Sequence, residues 1–257
     1  MRYLRKALLV IGLLLLAAIM LLWFLPARWV LAWAAPRLHG VQLQQVHGSV
    51  WDGRAGAVTL PDGRALGSLQ WQLSRRALLG QRRMRLALDG PVLALAGNMR
   101  ELDGGRTEWS ALHGRARLDA LGVGATFAGG VPHGELEWQA DHLLLQGNWP
   151  LQLGGQLRWR DAALDTPQGH VVLGELRLQA HADGGVIEAQ LSDAGGGPLD
   201  LEGQLQLSPF GWRLDATLQA RQTEPALRRW LATLAEPAAD GSVHLQRHGG
   251  LALPSTH

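Results

Sequence analysis

Few residues in this chain could do chemistry, and their spacing favours a solvated surface over a reaction centre. Glu135 and Glu137 imitate a carboxylate pair, about 7 Å apart on one strand face. They alternate with Leu136 and Trp138, however, which makes them the wet face of a regular segment. His244 and His248 are the one close histidine pair in a single expected element, and in a strand they stand about 13 Å apart, too far to share a metal. Cysteine is absent, which excludes thiolate metal sites, thiol catalysis and disulfides. The single lysine, Lys6, precedes the first apolar run, so there is no Walker A loop. The G-x-S-x-G, G-x-G-x-x-G, H-E-x-x-H and EF-hand patterns are also missing. Trp71, Trp138, Trp159 and Trp212 could stack a sugar, but their register follows the leucines, as core or groove lining does. No catalytic, metal or cofactor-binding residue is assigned, and no enzyme is expected.

What these residues sit on is a repeated strand. The phrase G-x-[LVA]-x-[WL] starts at residues 67, 114, 134, 155, 174, 203 and 241. The starts from 114 to 174 are about 20 residues apart, which at two strands of typical length predicts one hairpin per repeat in an antiparallel meander. Within the repeats polar and apolar residues alternate, the longest run being Trp212, Leu214, Ala216, Leu218 and Ala220 with Arg213, Asp215, Thr217 and Gln219 between. Period-two alternation gives one wet and one apolar face, the mark of an antiparallel sheet. Turn signals separate the strands at Pro61-Asp62-Gly63, Asp103-Gly104-Gly105, Asp183-Gly184-Gly185, Ser208-Pro209-Phe210-Gly211 and Asp240-Gly241. Residues Asp193 to Pro198 form the loosest stretch, a long turn or a boundary. Thr223-Glu224-Pro225 followed by Leu227, Trp230, Leu231 and Leu234 reads as a helix of about 11 residues ending before Pro237, placed to plug one end of the sheet.

The N-terminus has a different solvent. Ala7 to Leu25 are uncharged and mostly apolar, about 28 Å as a helix, close to the roughly 30 Å hydrocarbon core of a bilayer. Arg2, Arg5 and Lys6 precede the run and set the N-terminus in the cytoplasm. Ala32-Trp33-Ala34 fits a cleavage pattern, but the apolar run exceeds the usual 7 to 15 residues of a signal peptide. The expected organisation is a cytoplasmic N-terminus (1–6), a transmembrane helix (7–25), a membrane-proximal segment (26–40) and a periplasmic β-rich domain (41–257) in the inner membrane. Arginine and lysine total 24 against 22 acids, a net charge of +2, with no basic block to suggest nucleic acid.

Two sequence elements carry a resemblance. The anchor is followed by His47-Gly48-Ser49-Val50-Trp51-Asp52-Gly53-Arg54-Ala55, then by the repeated strands, then by Ser192-Asp193-Ala194-Gly195-Gly196-Gly197-Pro198-Leu199. Together these resemble the type II secretion system protein N family over essentially the whole chain, with one extra glycine in the second element. The resemblance implies an elongated, curved antiparallel sheet similar to AsmA-like proteins. It also implies an inner-membrane accessory role in export of folded proteins across the outer membrane. Gly48, Val50, Trp51, Gly53, Ala55, Ser192, Asp193, Gly196, Gly197, Pro198 and Leu199 are the family-motif residues it picks out, structural or partner-binding. The implied partners are other secretion components, at the inner-membrane platform or the outer-membrane channel. An apolar face that stays open as a groove would instead bind lipid, and alternation demands the same residues for a closed core and for a groove.

Overall fold

The computed structural model describes Ala27 and residues 40–121, 128–222 and 224–250. It contains a 13-stranded sheet in which every strand is antiparallel to its sequence neighbours. The strands are β1 (Gln42–Gly48), β2 (Asp52–Thr59), β3 (Ala65–Leu73), β4 (Arg83–Asp89), β5 (Leu93–Leu102), β6 (Arg106–Arg117), β7 (Val131–Gln146), β8 (Trp149–Thr166), β9 (Gly169–Asp183), β10 (Val186–Asp193), β11 (Leu199–Ser208), β12 (Gly211–Ala220) and β13 (Val243–Gly250). Two helices, α1 (Leu118–Leu121) and α2 (Pro225–Leu234), lie in the β6–β7 and β12–β13 connections. The expected transmembrane helix and its flanking Arg2, Arg5 and Lys6 lie outside the described residues. Among the described residues no helix is long and apolar enough to cross a membrane.

Register converts the sequence alternation into continuous rows. Cross-strand partners link Val46, Ala55, Leu69, Leu88, Leu95, Gly114, Trp138, Leu157, Leu178, Leu191, Gly203, Ala216 and Leu245, one residue from each strand in turn. Directly opposed side chains share a face, so a single apolar row crosses the whole sheet. The next residue along builds a polar row on the other face. There Gln139, Gln156, Gln179, Gln190 and Gln204 stand side by side from β7 to β11.

One hairpin per repeat is corrected to one long strand per repeat. The starts at 114, 134, 155 and 174 fall in β6, β7, β8 and β9, of which the last three run 16, 18 and 15 residues. Strands of this length survive because bulges absorb the accumulated twist, at His133/Glu135 and Ala140/His142 in β7 and around Trp159 to Ala163 in β8. The repeat glycine serves the bulge directly at Gly134 and Gly174, whose φ of 104° and 97° would strain any other residue. At Gly114 it makes room, since a Cβ there would lie 2.4 Å from the Trp138 ring. Asp193 to Pro198 is a turn within the sheet, which continues through it without a domain boundary.

The closed core lies at the C-terminal end. Leu118, Trp159, Leu164, Val171, Leu173, Leu199, Leu201, Leu218 and Val243 pack with Leu227, Trp230 and Leu231 of α2. The helix runs ten residues, as its apolar spacing predicts. Its N-cap is Glu224, which makes no side-chain cap bond, and Pro225 opens the first turn. Trp230 Nε1 donates to the Ala128 carbonyl at 3.0 Å, which ties α2 to the end of the β6–β7 connection.

Candidate functional site

The first motif is a hairpin built around one serine. Ser49 Oγ accepts from the N–H groups of Trp51 and Asp52, each at 3.2 Å, and the Ser49 N–H donates to the Asp52 carbonyl at 2.8 Å. That tight turn joins β1 to β2 and drives Trp51 inward, where it is 7% exposed, beside a fully buried Ala55. The third strand locks on from outside. The Leu73 N–H donates to the Trp51 carbonyl at 2.7 Å, and Trp71 Nε1 donates to the Val50 carbonyl at 3.2 Å. Gly53 is the cross-strand partner of Trp71, and a Cβ there would stand 2.3 Å from the indole. The ring therefore lies against glycine backbone, as the Trp138 ring lies against Gly114 and the Trp212 indole against Gly249. Gly48, with φ 88°, would meet the Asp52 carbonyl if it carried a side chain.

The second motif is an ionic knot at the opposite rim. The Asp193 carboxylate accepts from the Gly195 N–H at 2.6 Å, from the Leu201 N–H at 3.2 Å and from both terminal nitrogens of Arg221. Arg221 also reaches the Asp200 carboxylate at 2.9 Å and the Leu199 carbonyl at 3.1 Å. Burial pushes the Asp193 carboxyl up, but these hydrogen bonds prevail and hold it at about 2. The same bonds push the Arg221 guanidinium further up. Gly197 packs against Gly174 of β9 closely enough that a Cβ on either would collide with the other's Cα, and Leu199 descends into the core at 1% exposure. Ser192 is exposed on β10, and Pro198 accepts from the Arg221 N–H at 2.8 Å. Gly195 and Gly196 have open space where a Cβ would go. The extra glycine thus falls at the free tip of the loop and leaves the knot intact.

Between the motifs lie two polar arrangements. A hollow of about 1470 Å³ lies over the polar face of β7–β12, floored by the glutamine row. Its charged lining is acidic, Asp141, Glu188, Glu202 and Asp215 against Arg213. At the rim carrying α1, His133 stands 2.9 Å from Asp119 and 2.7 Å from Asp165, which is 2.7 Å from His170. The His170 hydrogen bond holds the Asp165 carboxyl below the usual range. Among the described residues no group of three or more histidines and carboxylates could hold a metal ion. Glu137 pairs with Arg160 at 3.1 Å, and His244 Nδ1 lies 3.0 Å from the Thr217 hydroxyl while His248 sits two pleat repeats further along β13.

A family model described as type II secretion system (T2SS), protein N matches residues 39–246. The chain belongs to the type II secretion system protein N family. The match opens three residues before β1 and closes within β13, so it covers the sheet from β1 to the first half of β13 together with α2. Searches of curated proteins and of solved structures return no match.

Both sequence elements that carry the resemblance fall inside this span but not in one place. Eight interstrand steps separate β2 from β10, roughly 38 Å along the sheet, and the turns lie on opposite rims. They fasten two ends of a long sheet, and they do not converge on a substrate. Arg221, which completes the second motif, is missed by reading the sequence, because its partner is 28 residues away. Its one signal was position, directly after the longest alternating strand. The glutamine row was equally hidden, since it needs register across five strands.

Proposed function

We propose that this member of the family is an inner-membrane-anchored, periplasmic accessory component that holds another part of the secretion machine against the edge of its sheet. The observation that carries the reading is the open topology, in which, among the described residues, β1 and β13 each pair on one side only. An unpaired strand edge offers backbone donors and acceptors to an incoming strand. The two edges differ. β1 is interrupted at Gln45, which has φ 52° and makes no pair with β2, although the register is the same on either side of it at Gln44 and Val46. β13 pairs with β12 through eight consecutive residues, Val243 to Gly250. The interrupted strand is a blunted edge, and the regular one is the docking edge.

Photo-crosslinking in cells from probes at Gln246 and Arg247 tests this. Adducts with other type II secretion proteins from β13, and few from Gln44 on β1, are the expected result. Equal labelling from both edges, or none from β13, would reject edge docking.

A lipid-binding role is the second reading, and the apolar face of β3–β6 supports it. Trp71, Leu86, Leu95, Met99 and Trp109 are only half-buried and stand outside the closed core. Against it, the 1470 Å³ hollow is polar and lined by more acids than bases, unsuited to acyl chains or phosphates. Stoichiometric lipid in mass spectra of the purified protein would favour this reading over the scaffold.

A further inference from the structure

The turn between β3 and β4 carries residues that a turn does not need. Residues 74–83 read Ser-Arg-Arg-Ala-Leu-Leu-Gly-Gln-Arg-Arg. Arg75–Leu79 form a 3-10 helix started by Ser74, whose hydroxyl accepts from the Arg76 N–H, and stopped by Gly80 at φ 84°. At its tip Leu78 is 50% exposed and Leu79 is 83% exposed. Scattered exposed leucines are ordinary, but an adjacent pair at the apex of a turn is a small apolar point facing solvent. Around it Arg75, Arg76, Arg82, Arg83 and Arg85 are all exposed, and no acid occurs between Leu73 and Asp89. A chain with a net charge of +2 thus places five positive charges within eleven residues. Residues three apart eclipse in a 3-10 helix, so Arg75 stacks beside Leu78 and Arg76 beside Leu79. Arg82 pairs with Glu101 at 3.2 Å and Arg85 donates to Asn98 at 3.1 Å, whereas Arg76 and Arg83 have no side-chain partner among the described residues.

We infer that this turn docks on a bilayer with anionic headgroups, seating Leu78 and Leu79 among the upper acyl carbons and its arginines on the phosphates. An apolar tip inside a basic collar matches the two layers of a membrane interface at once. An acidic protein would satisfy the arginines and leave Leu79 in water. An apolar groove would take the leucines and desolvate the guanidiniums. The turn lies two strands from β1 but on the rim opposite the end at which the chain enters β1, roughly 25 Å away, so it meets the same bilayer when the sheet lies along the membrane, which the segment 26–40 after the proposed anchor is long enough to allow at about 3.3 Å per residue. The inference rests on the anchor for reach alone. Protease protection of the N-terminus tests the anchor separately, and the secretion role is not involved.

The chain lacks cysteine, so Leu79→Cys in the full-length protein carries a single environment-sensitive fluorophore. In nanodiscs containing phosphatidylglycerol its emission shifts to the blue and resists an aqueous quencher. In discs of phosphatidylcholine alone it stays quenchable, and a label at Asp183→Cys, on a distant turn, stays aqueous in both. Replacing Arg76 and Arg83 by glutamine lowers the inserted-to-free ratio about thirty-fold, from two charges at about 1 kcal/mol each. A label at residue 79 that is equally aqueous in both discs overturns the inference. So does protection that appears only when another secretion protein is added, which would assign the turn to an acidic protein partner. The lipid comparison uses one unchanged protein, so a folding defect in the arginine variant cannot imitate either outcome.

Discussion

From β8 to β13 one end of the apolar face lies under α2 and closes over Trp159, Leu164, Leu173, Leu218 and Val243, while Trp212 towards the other end of β12 stays 41% exposed. From β3 to β6 the same face shows Trp71, Leu86, Met99 and Trp109 half-exposed, with no helix above it among the described residues. The alternation is as regular in one half as in the other. Alternation decides which side chains share a face, and whether that face meets protein depends on a separate element, here ten residues long. The open half is pinned at its outer end by the Trp51 hairpin, the closed half by the Asp193 knot.

Large truncations should separate the halves most clearly. Trp230→Ala, at 3% exposure in the closed half, is expected to cost about 3–5 kcal/mol in chemical denaturation. Trp109→Ala, on the open face, should cost about 1–2 kcal/mol, because a half-exposed ring has less burial to lose. Equal losses would mean that the open half is covered after all. Trp51→Ala should behave like Trp230→Ala, at about 3–5 kcal/mol, and an unchanged melting temperature would make Trp51 a contact residue.

Smaller changes sharpen the contrast between the pinning motifs. Gly53→Ala drives a methyl into the Trp71 indole and should cost about 1–3 kcal/mol. Asp193→Asn should cost about 1–2 kcal/mol and leave a signature in pH. The folded carboxyl sits at about 2, below its unfolded value of 3.8, so its contribution is complete above about pH 4 and disappears as pH falls towards 2. Acid titration of stability should therefore be flatter over that window in the asparagine variant. Gly196→Ala should change stability by less than about 0.5 kcal/mol, since nothing lies near its missing Cβ. A large effect there would show the loop tip held against something.

The strands, their turns and α2 were legible in the sequence, because each rests on local periodicity and turn chemistry. Strand length was not. Leu136, Trp138 and Ala140 keep a period of two, after which the bulge at Ala140/His142 shifts phase and puts Leu143 on the apolar face. A reader counting alternation sees a strand end where the strand only skips a residue. The bonds that hold the two turns were not legible, since Leu73 lies on β3 and Arg221 follows β12, far along the chain from the residues they fasten. Charge counting over the whole chain likewise averaged away the five arginines between Leu73 and Asp89, because the acids that balance them lie on other strands.

The strictly sequential order of the sheet bears on how the chain reaches this state. Each strand finds its partner in the segment just made, so contacts stay local and the loop to be closed at most steps is a short turn, the longest being the β12–β13 connection that carries α2. Strands can be laid down one after another as the chain emerges, each new edge templating the next, with no wait for a distant C-terminal partner. Only α2, arriving late, reaches back across β9 to seal what has already been built.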